Sequence, residues 1–448
     1  MADPLRAVSR LRSLRRPSPP TLAALALFAV ALAVRLVWVS FVDSPYDNVF
    51  SDMGGYIDRA LDAAHVKADP YPIFATLYPP GAHLVYAAEM KLVGWTHHGP
   101  MLLLNCMWGA VVAPCTMLLA MRIVPRLAVA VPVGLVMALW YPLLAFSGFF
   151  SSEQPYAGAL ALSAWLLVRQ VESGKSTVGL GVTSSIAYLV RPQVILTLFA
   201  LTLAGLYVLW RRTPRLRVGR LVLAGAILSG AVAFGAVRYH ALSGRWGLVS
   251  DNAAMTRLWA DTDYGRVRAT WHSPDGRNLV FFFGSPPKNE IGETRELTFE
   301  GYVGDPEKLD LARRLEVMHM TSGARALRWV KNVRLLFAYN SLWPDSLHQG
   351  KGWRWIWSET SKRVLLVFIC PLALLGIAAC LRRPTTVLVV CTAHIATALV
   401  VAAFFFAEAR YRVPYDMFLV LLALEGACTL WFSRGSSRGQ GQPEVQVR

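Results

Sequence analysis

The chain has 448 residues, 55% of them hydrophobic and only 16% charged, whereas a soluble globular domain carries roughly 25% charged residues. Its apolar residues fall in blocks of roughly 17 to 25, long enough to cross about 30 Å of hydrocarbon, which excludes a soluble fold. The formal charge of +17 does not point to nucleic acid. The basic clusters at Arg6, Arg10, Arg12, Arg15 and Arg16 and at Arg211, Arg212, Arg215, Arg217 and Arg220 lack the interleaved aromatics of a single-strand-binding groove.

Residues 1–19 form a basic stretch that the positive-inside tendency places in the cytoplasm. The first apolar block, 20–42, is too long for a signal-peptide core and reads as a retained signal anchor. Further spans are expected at 99–121, 127–146, 154–169, 177–191, 192–210, 218–238, 363–381, 384–406 and 414–432, about ten in all. The joints predicted to be cytoplasmic carry Arg122, Arg126, Arg169, Lys175, the 211–220 cluster, Arg382 and Arg383, while most acids fall in the alternate segments. This charge asymmetry predicts an all-α polytopic protein of the plasma (inner) membrane with both termini cytoplasmic.

Two of the predicted extracytoplasmic segments are too long to be connectors. The first, 43–98, should hold juxtamembrane helices, one from Ser51 and one from Pro80 to Val93, with proline at the favoured first turn. The second, 239–362, should be of mixed structure. Its apolar run Leu279-Val280-Phe281-Phe282-Phe283 suits a strand or buried turn. Asp305-Pro306-Glu307 reads as a cap, a first-turn proline and an acid suited to the helix dipole. Trp343, Trp353, Trp355 and Trp357 suit an interfacial aromatic belt. Long ordered loops are usually functional, so chemistry is expected on the outer face. The tail, 433–448, reads as disordered and cytoplasmic.

All six cysteines (Cys106, Cys115, Cys370, Cys380, Cys391, Cys428) lie in apolar blocks, and no CxxC pair exists. Neither a zinc site nor a disulfide is predicted. Ser173-Gly174-Lys175-Ser176-Thr177 resembles the end of a phosphate-binding loop, but Arg169 stands where the motif needs glycine, and no strand precedes it. A soluble nucleotide sugar is therefore not expected as a donor. Phe50-Ser51-Asp52-Met53-Gly54-Gly55-Tyr56 follows the first span closely. Either Ser51 or Asp52 caps a helix there, or Asp52 is a functional carboxylate at the membrane surface, with Tyr56 on the same helical face.

An arginine-bearing first span, Asp52 with Tyr56, and Tyr78-Pro79-Pro80-Gly81 together resemble the first luminal loop of C-type (GT-C) polytopic glycosyltransferases. The likeness is to the branch with lipid A aminoarabinose transferases and protein O-mannosyltransferases. It continues in Ser152-Glu153-Gln154-Pro155, Leu189-Val190-Arg191-Pro192, Arg238-Tyr239 leading to Ser250-Asp251-Asn252, and Ala409-Arg410-Tyr411-Arg412-Val413-Pro414. The resemblance implies transfer of a sugar from a polyprenyl-phosphate donor to a lipid, glycan or protein acceptor, using an acid in the first loop. Asp52 matches that acid. Family sequences often have a second acid next to it, where this chain has Met53, so a divalent metal stays open and no metal ligand is assigned.

Residue chemistry runs the same way. A positioned base, Asp52, can take the acceptor hydroxyl proton, and a phosphate leaving group needs cationic stabilisation more than protonation. Arginine forks match phosphate oxygens. Arg191, Arg410 and Arg412 fall at the outer interface, where snorkelling or pairing with Glu408 is the alternative. Tyr56, Tyr78 and Glu153 complete the expected substrate-binding set, with a helix-start role as the alternative for Glu153. A single displacement on one carboxylate predicts inversion. His83 is expected at the surface, Arg35 is expected to snorkel, and Glu425 and His394 are expected to make interhelical hydrogen bonds. A lipid-linked saccharide flippase and a non-catalytic scaffold are the rival functions.

Overall fold

The computed structural model describes residues 18–438 apart from 71, 212–217, 262–266, 273–277, 284–296, 319, 339–342, 348–349, 351 and 406. The basic N-terminus and residues 439–448 thus lie outside the described residues. Residues 433–438, expected to be disordered, instead continue the last helix.

The helices run, in order, α1 Pro19–Phe41, α2 Ser51–Ala63, α3 Gly81–Val93, α4 His98–Ala110, α5 Val112–Ile123, α6 Leu127–Ala138, α7 Tyr141–Ala145, α8 Glu153–Ser173, α9 Thr177–Val190, α10 Val194–Arg211 and α11 Val218–Ser243. After α12 Asn252–Asp261 come β1 Val267–His272, β2 Asn278–Phe283 and β3 Leu297–Glu300. The chain closes with α13 Pro306–Val317, α14 Ser322–Ala338, α15 Trp353–Val364, α16 Cys370–Arg382, α17 Thr386–Phe404, α18 Ala409–Arg412 and α19 Asp416–Arg438.

A helix stands at each of the ten expected spans. Six, among the described residues, are long and apolar enough to cross a bilayer, and the pair 127–138 and 141–148, bent by 48°, is a broken seventh span or a re-entrant loop. The count by length and composition is therefore below ten, and the reasons are local. The α8 helix carries Glu153, Arg169 and Glu172, while Thr177–Val190 and Val194–Leu203 are apolar but short. The protein is an all-α polytopic membrane protein with one small sheet.

Where no water drives helices together, small residues let backbones close in. A Cβ added at Gly376 would fall 2.0 Å from the Leu422 carbonyl oxygen, and one at Gly426 would fall 2.0 Å from that of Leu372. These two glycines set the α16–α19 crossing. Arg35 departs from expectation: it is fully buried rather than snorkelling. Its Nη1 donates to the Ala31 carbonyl at 3.0 Å and to that of Ala138 at 3.3 Å, the latter being the free end of α6 at the bend. His394 Nδ1 contacts the Val390 carbonyl oxygen of its own helix at 2.7 Å, so the expected interhelical bond is replaced by stacking on Phe418.

The segment 43–98 holds α2, as expected from Ser51, and α3, which begins at Gly81 with Pro80 in the capping position. In 239–362 the apolar run at 279–283 is a strand, in a sheet of order β2-β1-β3 with β1–β2 antiparallel and β1–β3 parallel. Asp305 caps α13, accepting from the Glu307 N–H at 3.1 Å and the Lys308 N–H at 3.4 Å. A satellite core including Phe74, Leu77, Met255, Leu258, Val303 and Leu309 joins the two segments. Buried Asp251 bolts them polarly: Thr76 donates to Oδ2 at 2.9 Å, Tyr302 donates to it at 3.0 Å, and Arg245 forks both oxygens at 3.1 Å. Of the four tryptophans assigned to an aromatic belt, Trp353 and Trp355 are exposed, whereas Trp357 packs on Trp38 and Tyr141.

Candidate functional site

Asp52 lies in the first turn of α2, where unpaired backbone N–H groups favour a negative side chain. Its Oδ1 accepts from the Tyr78 hydroxyl at 2.8 Å, and its Oδ2 accepts from Arg410 Nη1 at 3.3 Å. Arg410 is held on three sides. Its guanidinium carbon lies 4.7 Å from the Trp343 ring centre and 5.0 Å from that of Tyr411. Its Nε comes within 2.9 Å of Glu408 Oε2, a close ionic approach lacking hydrogen-bond geometry.

Arg191 follows α9, where Pro192 stops the helix by denying the next turn a donor. Its Nη2 pairs with Glu153 Oε1 at 2.5 Å and donates to Ser152 Oγ at 2.9 Å, and its Nη1 is buried without a partner. The ring of Tyr411 lies 4.9 Å from the Arg191 guanidinium carbon, so this tyrosine packs between both arginines. Unused guanidinium donors in a buried place are costly, and both arginines line a space that a ligand can fill.

That space is a cavity of about 350 Å³, lined by Asp52, Tyr56, Tyr78, Glu153, Arg191 and Arg410 together with apolar residues from α10 and α17, a volume suited to a small ligand. Six of the seven residues singled out in sequence thus meet in one chamber. Arg412 does not. It is turned away into the helix bundle, where its Nε donates to Asp416 Oδ1 at 2.7 Å and its Nη1 to the Leu336 carbonyl at 2.7 Å. The reason is helical: Arg410 and Arg412 lie two residues apart on α18, so their side chains leave on different sides.

The electrostatics follow from burial. Loss of water raises the Glu408 carboxyl above its usual range, Arg410 opposes the rise, and Asp52 and Glu153 add to it. Burial, then the Asp52 charge, pushes the Tyr78 phenol well up, so Tyr78 serves Asp52 as a hydrogen-bond donor and keeps its proton. Both Asp52 oxygens already face donors, and the neighbouring residue is Met53. Among the described residues no three His, Cys, Asp or Glu side chains group at metal-holding distance.

Sequence reasoning missed three contributors. Tyr411 and Trp343 shape Arg410, and only the Arg-Tyr-Arg motif hinted at the former. Arg59 is buried behind the site, with its guanidinium carbon 5.3 Å from the Tyr78 ring centre and 5.8 Å from that of Tyr56, and with Nε and Nη2 unpartnered. Its position three residues after Tyr56, on the same helical face, was the available signal. His83, expected at the surface, is buried on α3, where burial first and then Arg59 and Arg238 hold the imidazole well below its ordinary pKa, neutral.

No protein-family model matches the chain, and no curated protein matches it. Among solved structures it is similar to the oligosaccharyltransferase of Archaeoglobus fulgidus in its apo form. The identity is 13% and the TM-score 0.47, over 95% of this chain and 53% of that one. The chain spans about half the length of that structure.

Proposed function

We propose that the protein is a membrane glycosyltransferase that moves a sugar from a polyprenyl-phosphate donor to an acceptor at the extracytoplasmic face, with inversion. The observation that carries this reading is the meeting of one carboxylate, Asp52, with two guanidinium groups, Arg191 and Arg410, in a single cavity. The sequence resemblance to C-type glycosyltransferases points the same way.

In this mechanism the donor phosphate enters beside Arg191 and Arg410, whose guanidinium N–H groups donate to its oxygens. Engaging Arg410 frees Asp52 Oδ2. The acceptor hydroxyl attacks the anomeric carbon as its proton passes to Asp52. The new carbon–oxygen bond forms as the carbon–phosphate-oxygen bond breaks, and the electron pair leaves on the carrier phosphate. Tyr78 keeps Asp52 oriented throughout, and Glu153 holds Arg191 in place. The phosphate leaves as an anion, so a second carboxylic acid is not required.

The test is transfer by membranes containing the Asp52→Asn protein, supplied with a polyprenyl-phosphate sugar. Removal of a general base is expected to lower turnover by about 10² to 10⁴-fold. Full transfer by that variant overturns the assignment.

A further inference from the structure

A second cavity, of about 560 Å³, lies outside the site just described, between α1, α3, α4, α8 and α9. Its walls are almost wholly apolar, including Leu84, Leu92, Leu104, Met107 and Leu189. Leu92 and Met107 on its rim are 77% and 40% exposed, and Met107 belongs to the membrane-crossing helix His98–Ile123. In a bilayer this rim meets lipid chains.

One ionisable group breaks the apolar wall. Glu89, on α3, is 6% exposed. Its Oε1 accepts from the Trp108 indole at 2.9 Å, while Oε2 is buried with no partner. Trp108 also lines the cavity, so the pair forms a polar spot in an otherwise apolar recess. No arginine or lysine lines this cavity, which disfavours a phosphate there. A plain polyprenyl chain would leave Oε2 unsatisfied, at a cost that a ligand hydrogen bond removes.

We infer that this cavity is a second lipid site, taking a membrane lipid that carries, next to its chains, a hydroxyl or amide N–H that hydrogen-bonds Glu89. It is distinct from the seat of the donor phosphate. The two cavities share a thin wall: Gly81 and Leu189 line the lipid site, and Val190 and Arg191 line the other. A Cβ added at Gly81 would fall 2.2 Å from the Val190 backbone nitrogen, so the wall is backbone against backbone. An occupant therefore presses directly on the strut that carries Arg191.

The experiment uses the full chain in nanodiscs with three diazirine-bearing probes: a diacylglycerol with a free hydroxyl, its methyl ether, and a polyprenyl phosphate. The hydroxyl probe should label peptides around 84–92 and 104–111 about tenfold more than the ether, the factor expected for one hydrogen bond. Glu89→Leu should erase that preference, Glu89→Gln should keep it, and Ala88→Trp should block labelling by filling the recess. Equal labelling by hydroxyl and ether probes, an unchanged preference in Glu89→Leu, or dominant labelling of this cavity by polyprenyl phosphate would overturn the inference. The readout is binding alone, so it stands or fails separately from sugar transfer.

Discussion

The Tyr78 hydroxyl sits 2.8 Å from one oxygen of Asp52, and this bond fixes the direction of the carboxylate lone pair that faces the cavity. A hydrogen bond to a charged group contributes about 1.5 to 3 kcal/mol. Tyr78→Phe should therefore lower turnover about tenfold to a hundredfold, with the donor KM little changed. Steady-state kinetics on the purified variant check the split between the two constants. A pure rise in KM would assign Tyr78 to binding instead.

Glu153 and Arg191 form a buried pair, and removing one partner leaves the other charge uncompensated, at about 3 to 5 kcal/mol. Glu153→Ala should lower the melting temperature and weaken donor binding together, because Arg191 loses its anchor. Joint thermal denaturation and donor titration test this. An unaffected donor affinity would show that Arg191 is held by Ser152 and the aromatic rings alone.

Arg412 gives the opposite pattern. Its bonds run to Asp416 and the Leu336 carbonyl, away from the cavity. Arg412→Ala should cost stability by about 3 to 5 kcal/mol, as for any broken buried pair. The donor KM of the folded fraction should stay at the wild-type value, whereas Arg410→Ala should raise it. Parallel measurements on the two variants separate the roles.

Burial raises the Glu89 carboxyl from 4.5 to about 7, against the indole bond from Trp108, which lowers it. Its other electrical neighbours are Tyr46, Tyr86 and Cys106, none of them basic. The folded state holds this proton more tightly than the unfolded chain does, so stability falls as pH rises from about 4.5 through 7. The loss should reach roughly 3 kcal/mol. Melting curves at pH 5 and pH 8 should show a larger loss for the wild type than for Glu89→Gln. Equal losses would mean that the carboxyl is ionised within the fold at both pH values.

The helices were legible because a membrane imposes a coarse code: length and hydropathy alone place α1, α17 and α19. The broken members resisted the same code. Glu153 dilutes α8 because the N-terminus of that helix lines the site, and Arg169 dilutes its other end, at the joint predicted to be cytoplasmic. The cavity residues Asp52, Tyr56, Tyr78, Glu153, Arg191 and Arg410 were visible because short motifs carried them. The direction of Arg412 was not visible, since composition says nothing of which side a side chain leaves from. Arg35 misled for a related reason: snorkelling is the rule for an arginine near a span end, yet the bend after α6 offers it a free carbonyl to bind.

Asp52 and Arg410 are partners 358 residues apart. During synthesis the first emerges long before the second, with most of the described helices made in between. Until α18 is made, Asp52 lacks its Arg410 counter-ion, and the cavity lacks both Arg410 and Tyr411. A nascent or prematurely terminated product therefore carries Asp52 without Arg410. The Asp52–Arg410 pair thus forms only after α18 has been made.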